Sequence, residues 1–259
     1  MFQKERMEKI ISILKLHGFV TVKYLTEELH YSTATINRDL NALEQMDEVK
    51  RTYGGVELKT PTTIPVIFRY EQAKPEKKRI ARYAASLIMD GDTIFMDGST
   101  TVQYIGEYLL EKKGITVLTN NTALSAFLSE HGIDTVVLGG RVMEPPYMLA
   151  GHDTVETASR YKADKCFFST AAVSSNGEMA YTGDIFFTLH KTMLRNSEKT
   201  FYLVDRKKVN HPCAKVILGD LSLVDCVISD YRFKEQTLSL FPTTEFIHVK
   251  ADSVERLQS

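Results

Sequence analysis

The chain has 259 residues, 43% of them hydrophobic and 25% charged, with 14 Gly, 7 Pro and no Trp; that balance excludes a low-complexity polymer and fits one large or two unequal folded domains. Its formal net charge of −1 leaves nucleic acid open as a partner, because a nucleic-acid footprint is local. No apolar run approaches the roughly 18 residues of a membrane span, the N-terminus lacks the apolar segment of a signal peptide, and Cys166, Cys213 and Cys226 are odd in number and far apart, which together predict a cytoplasmic protein without disulfides.

The first 56 residues read as a small helical unit. Met7, Ile10, Ile11 and Leu14 recur at helical spacing, with Gly18 as a stop. Residues 19–22 form a short β-prone link. Val22, Leu25 and Leu29 make a second apolar stripe with Thr21 as its cap, and His30 and Tyr31 turn the chain. STATINRDL, at 32–40, opens a third helix running to about residue 45, with Ile36, Leu40 and Leu43 on the buried side. VKRTYGGVEL, at 49–58, surrounds Gly54 and Gly55 with β-prone residues and predicts a hairpin. Three short helices and a hairpin on one core make a winged helix-turn-helix.

In such a unit the third helix docks by one stripe and leaves its far side free for the major groove. With Ile36 inward, a step of about 100° per residue turns Ala34, Arg38 and Asn41 outward, flanked by Thr35 and Asn37. Arg forks to guanine O6 and N7, and Asn pairs with adenine N6 and N7. Ser32 and Thr33 stand at the helix N-terminus, where free amides favour a phosphate, and Lys50 and Arg51 lie on the wing, placed for flanking phosphates. An ordinary helical domain with a solvated face competes with this reading, since residues 1–56 hold eight Lys and Arg against eight Asp and Glu. The helix-turn-helix spacing and the double-Gly wing occurring together favour double-stranded DNA.

The boundaries expected are 1–58 for this unit, 59–75 for a Thr- and Pro-containing linker (Pro61, Pro65, Pro75), and 76–259 for the remainder. A basic amphipathic helix starts at Glu76, with Lys77, Lys78, Arg79 and Arg82 as a solvated face and Ile80, Ala84, Leu87 and Ile88 inward. Apolar runs at 93–97, 115–119, 134–140, 165–169, 199–205, 214–219, 226–230 and 245–249, many separated by helical stretches, predict a mostly parallel α/β sheet.

Three strand ends of this region are polar or glycine-rich: Asp97-Gly98-Ser99-Thr100-Thr101, Thr119-Asn120-Asn121, and Gly139-Gly140-Arg141. Ligands of open α/β sheets sit at such carboxyl ends, and the set suits a small phosphorylated molecule, though each turn alone is explained structurally. Lys191, on a helix, and the strand end Asp205 to Lys208 are basic and either reach an anion or are solvated. His152, His190 and His211 read as structural. No H-x-x-x-H or paired-cysteine spacing occurs, so neither metal nor cofactor is expected.

The order KLHGFVTVKYLTEELHYSTATINRDLNALEQMDEVKRTYGGVEL, and above all S-x-x-T-I-x-R-D-L followed by a double Gly, resembles the N-terminal region of the DeoR family of bacterial transcriptional regulators. DGDTIFMDGSTT, TVLTNN, VVLGG and ADKCFFSTAAVSSNGEM, the Lys191 helix and the Asp205 strand end are similar in order to that family's effector domain. The resemblance implies a winged helix-turn-helix joined to a sensor domain similar in fold to sugar-phosphate isomerases. It implies a regulator, usually a repressor of a catabolic operon, that is controlled by a phosphorylated sugar or related metabolite and forms a homodimer or homotetramer. Carried over by motif, Asp97 to Thr101, Asn120, Gly139, Gly140, Asp164, Lys165, Lys191, Asp205 and Lys208 are the effector-domain positions. The chain departs from the family pattern at Asn37, commonly Arg; at Phe186 and Phe187, commonly acidic; at residues 169–173; and at Arg206 and Lys207. A sugar-phosphate isomerase- or deaminase-like enzyme with an appended DNA-binding domain is the alternative, and would need a general base such as Asp97.

Overall fold

The computed structural model describes residues 3–17, 19–46, 48–52, 55–58, 73–143, 148–212 and 215–257. Gly18, Gly54, Cys213 and most of the expected linker lie outside them. The chain divides into two compact units, Met1–Gln72 and Ala73–Ser259.

In the first unit, α1 (Gln3–His17), β1 (Phe19–Thr21), α2 (Val22–Leu29), α3 (Thr33–Gln45), β2 (Val49–Thr52) and β3 (Gly55–Leu58) follow one another. Thr21 caps α2 by accepting from the Tyr24 amide at 3.0 Å. His30 closes the helix in the left-handed region at φ 55°, and Ser32 caps α3 by accepting from the Thr35 amide at 3.2 Å. The β-prone link is a true strand: β1 pairs antiparallel with β3, Val20 opposite Val56, so the wing is a three-stranded sheet in the order β1-β3-β2. Gly55 makes that pairing possible, since a Cβ there would lie 2.4 Å from the Val20 carbonyl oxygen. Ile10, Leu14, Val20, Leu25, Ile36, Leu40, Leu43, Val49 and Val56 form the core, each fully buried side chain contributing about 1.5–3 kcal/mol.

The second unit starts with α4 (Lys74–Ser86), two residues earlier than expected. Pro75 stands in its first turn rather than in a linker; a residue without N–H loses nothing there, because that N–H has no helical acceptor. The strands that follow are β4 (Thr93–Met96), β5 (Thr116–Thr119), β6 (Asp134–Val137), β7 (Arg141–Met143), β8 (Met148–Ala150), β9 (Ala163–Phe168), β10 (Ala172–Val173), β11 (Glu178–Tyr181), β12 (Ser197–Val204), β13 (Val216–Asp220), β14 (Cys226–Ser229), β15 (Glu245–Val249) and β16 (Val254–Arg256). Eight of them form one sheet, β16-β15-β14-β12-β9-β4-β5-β6, parallel except for β16. Every residue of β14 is buried, so both of its faces are covered, which is why these strands read as continuous apolar runs. Cys166 and Cys226 are free and buried.

The order of the sheet fixes where a ligand belongs. From β4 the chain moves outward through β5 and β6, then returns to β4's other side with β9, β12, β14 and β15. The strand order therefore reverses between β4 and β9, and the crevice outside their carboxyl ends is the binding position of such a sheet. The run at 214–219 does not join this sheet. As β13 it pairs antiparallel with β11, itself paired with β10; β10 has two residues and β11 opens on exposed Glu178, so neither is a continuous apolar run in the sequence.

Candidate functional site

Helix α3 presents the expected face. Ile36 and Leu40 are 0% and Leu43 3% exposed, whereas Ser32, Thr33, Ala34, Arg38 and Asn41 are exposed and Thr35 and Asn37 half-buried. Asp39, one residue after Arg38, is 0% exposed and forms a two-pronged ion pair with Arg6 of α1. Arg6 also lies over the Tyr31 ring, 4.7 Å from its centroid, and Asp39 holds its guanidinium pKa above the ordinary value. One of the acids that weighed against DNA is thus inside the unit, neutralised by one of the cations. On the wing, Lys50 is exposed. Arg51 is bound to α3: its guanidinium donates to Asn41 Oδ1 at 2.8 Å and Asn37 Oδ1 at 2.5 Å, and its amide to Glu44 Oε1 at 3.2 Å.

At the β4/β9 crevice Asp97, 1% exposed, is the hub. Its Oδ1 accepts from the Ser99 amide at 3.1 Å and the Ser99 hydroxyl at 2.6 Å; its Oδ2 accepts from the Ser169 amide at 3.2 Å. Ser169 Oγ donates to the Leu203 carbonyl at 2.6 Å and accepts from Lys208 Nζ at 2.7 Å. Lys77, 3% exposed, donates to Thr100 Oγ1 at 3.0 Å; it is not part of a solvated face as the charge run suggested. The spacing explains why: Lys77 lies three, four and seven residues before the buried Ile80, Ala81 and Ala84, on the same stripe. Ser99 caps the four-residue helix Thr100–Gln103, accepting from the Val102 amide at 3.3 Å.

His190 also belongs to this network rather than standing isolated. It is 3% exposed, its Nδ1 is hydrogen-bonded to the Tyr181 hydroxyl, and its Nε2 lies 3.2 Å from Asp97 Oδ2, close enough for an ion pair but not aligned as a hydrogen bond. Burial, reinforced by Asp97, pushes the Tyr181 phenol far above its ordinary pKa. The sequence carried no spacing signal for this network, because His190 and Asp97 come from distant elements.

The remaining positions divide. Asn120, fully buried, donates to the Leu149 carbonyl at 2.9 Å, and its Oδ1 has no hydrogen-bond partner among the described residues, nor has buried Thr101 Oγ1. Gly98 is buried against Met148, whose Cε would sit 2.7 Å from a Cβ. Gly140, at φ 104°, packs where a Cβ would meet Thr154 Oγ1 at 2.1 Å, and the Gly139 carbonyl accepts from that hydroxyl at 2.7 Å, so this glycine pair is a packing device. Asp205 is buried and accepts from the Lys207 amide at 3.1 Å. Lys191 is exposed, its ammonium 5.7 Å from the centroid of the Phe187 ring, and is not brought to Asp97. Asp164 and Lys165 lie at the other end of the sheet: Asp164 accepts from the Thr93 amide at 2.7 Å and Lys165 pairs with buried Asp92. A cleft of about 420 Å³ bounded by Lys162, Asp164, Arg195 and Glu198 opens at that end too, away from the switch point.

A docked helix with a polar far side, on one unit, and an open parallel sheet with a charged switch-point crevice, on the other, define a DNA-binding regulator with a sensor domain. Residues 6–62 match the DeoR-like helix-turn-helix domain and residues 72–231 the DeoR C-terminal sensor domain. The chain is 33% identical to the lactose phosphotransferase system repressor of Lactococcus lactis subsp. lactis, over 97% of this chain and 100% of that one. It is 32% identical to the transcriptional repressor GlcR of Bacillus subtilis, over 89% of each, and 28% identical to the glycerol-3-phosphate regulon repressor of Escherichia coli, over 89% of this chain and 92% of that one. Among solved structures it is similar to ribose 5-phosphate isomerase A of Methanocaldococcus jannaschii, at 17% identity and a TM-score of 0.39 over 53% of this chain and 55% of that one. The chain belongs to the DeoR family of transcriptional regulators.

Proposed function

We propose that this protein represses a carbohydrate-catabolic operon from the cytoplasm, as a homodimer or homotetramer, and that a phosphorylated sugar or related anionic metabolite in the β4/β9 crevice controls its grip on operator DNA. The observation that carries the proposal is α3. Its apolar stripe is fully docked while Arg38 and Asn41 are exposed, the division a groove-reading helix requires. Arg38, Asn37 and Asn41 read bases; Ser32, Thr33, Thr35 and Lys50 meet phosphates or flanking base edges. The names of the relatives concern lactose phosphotransfer and glycerol 3-phosphate, which supports a phosphorylated effector here. In the crevice, Lys77 and Lys208 bring two ammonium groups among the hydroxyls of Thr100 and Ser169, a set that suits a phosphate. Gly98, Ser99, Thr101, Asn120, Gly139, Gly140 and Asp205 shape or line it, with Lys191 at its periphery.

Against the enzyme alternative, Asp97 already accepts three hydrogen bonds and faces His190 while 1% exposed, so it anchors the strand ends and is not free to take a substrate proton. Gel-shift titration on DNA from beside the gene, with and without a panel of phosphorylated sugars, tests the proposal. Operator binding that one of them weakens is expected. Turnover of pentose or hexosamine phosphates would establish the enzyme instead, and no thermal shift with any of them would leave a binder without an effector of this class.

A further inference from the structure

The wing arginine is tied to α3 by its guanidinium and by its amide. Arg51 carries a planar fork of donors and no acceptor, so the atoms it meets on Asn37 and Asn41 are necessarily the amide oxygens. Asn37 and Asn41 lie four residues apart on one face of α3, and a single guanidinium spans both while its backbone amide is tied to Glu44. A lysine has one ammonium and no fixed fork, and cannot hold two amides in this geometry.

From this geometry we infer that Arg51 is a positioning residue that sets the base preference of α3, a refinement that rests on the operator-binding reading above. With both oxygens turned to Arg51, the Nδ2 groups of Asn37 and Asn41 are the outward ends of the two amides. Among the described residues neither Nδ2 has a hydrogen-bond partner, and no ion pair or hydrogen bond engages exposed Arg38. The helix thus faces the groove with three sets of donors. The base edge that answers such donors with two acceptors is guanine, through N7 and O6; thymine offers O4 alone, and adenine sets a donor beside its N7. An unrestrained Asn prefers adenine, accepting from N6–H and donating to N7, and that pairing needs an oxygen that here is turned to Arg51 with one of its two lone pairs engaged. Asn37 and Asn41 therefore select guanine, and they do so because of a residue on the wing.

The test is selection of binding sites from a randomised duplex library by the full-length protein, for wild type, Arg51→Ala and Arg51→Lys, followed by titration of the enriched duplexes over a range of salt. Wild type is expected to enrich guanine at the positions facing α3. Both variants are expected to lose about tenfold of that preference, the scale of one direct base contact, with adenine gaining at the same positions. Arg51→Lys is expected to do so while keeping the wild-type dependence on salt. If Arg51 is an ordinary phosphate contact, Arg51→Lys keeps the guanine preference, and Arg51→Ala weakens all duplexes alike and lowers the salt slope by about one; that result overturns the assignment. A wild type that enriches nothing removes operator binding itself, and this inference with it, whereas an unchanged motif in both variants removes only the role of Arg51. Because Arg51→Lys retains charge and length, a misfolded Arg51→Ala does not shield the inference.

Discussion

Arg38 and its neighbour Asp39 stand one step apart on a helix in opposite surroundings, one exposed and one buried. Arg38 is exposed on the side of α3 away from the core, and Arg38→Ala is expected to cost about 1–3 kcal/mol of specific operator binding, read by gel-shift titration, with unchanged folding. Unchanged affinity and specificity would remove Arg38 from base readout. Asp39 is buried against Arg6, so Asp39→Ala strands a cation between α1 and α3. The expected loss is about 3–5 kcal/mol of local stability, measured as hydrogen-exchange protection of the Ile36 and Leu40 amides. Replacing Arg6 and Asp39 together by Met and Leu should restore most of it, because an apolar pair of similar volume carries no stranded charge. Protection unchanged in the single variant would show that the pair holds nothing. The outward face of α3 was legible because a docked helix repeats every 3.6 residues; the inward charge was not, because a buried Asp looks like any polar residue until its partner on another helix is known. His190 was missed for the same reason, whereas Lys77 carries the spacing of the apolar stripe but stands in a run of cations that reads as a solvated face.

At the scale of elements, the long apolar strands of the main sheet declared themselves because strands covered on both faces need no polar alternation. The elements that escaped notice are short: β10 has two residues, and β7, β8 and β16 three each, too few for a period to appear. The terminal hairpin of β15 and β16 depends instead on charge. Glu255, opposite His248, pairs with Lys250 at 2.6 Å and Arg232 at 2.7 Å, and these cations, Lys250 foremost, lower its pKa to about 2 from the ordinary 4.5. A carboxylate with a lowered folded pKa supports folding fully above its unfolded pKa and loses that support as pH falls through the folded one. The hairpin's contribution should therefore be intact at pH 5 and fade between about pH 4.5 and pH 2. Hydrogen-exchange protection at Val249 and Leu257, taken relative to the intrinsic rate at each pH through that window, checks it: Glu255→Gln should be less protected at pH 5 and lack the wild-type loss of protection on acidification. The same acid-induced loss of protection in both proteins would assign the effect to another group.

For the molecule as a whole, repression under metabolite control is a statement about linkage. If the ligand changes operator affinity by some factor, operator DNA must change ligand affinity by the same factor, whatever path the coupling takes. Couplings of this kind are typically about 1–3 kcal/mol, and a ligand at 100 times its Kd should raise the stability of the sensor unit by roughly 2.7 kcal/mol. Calorimetric titration of the effector into free protein and into the saturated protein–operator complex gives one factor; gel shifts with and without effector give the other. The two should agree. Lys208 is the residue at which to test whether sensing and operator binding are separable, since it donates to Ser169 and belongs to the unit without α3. Lys208→Ala is expected to weaken the effector about tenfold or more, the loss of a charge-assisted bond to phosphate, and to leave operator affinity without effector unchanged. A Lys208→Ala protein that binds the effector as well as wild type would place the metabolite elsewhere than the β4/β9 crevice. One that binds it poorly but is released from DNA at correspondingly higher concentrations, by the same limiting factor, would locate the sensor there and show that the difference in affinity between the two states survives in the other contacts.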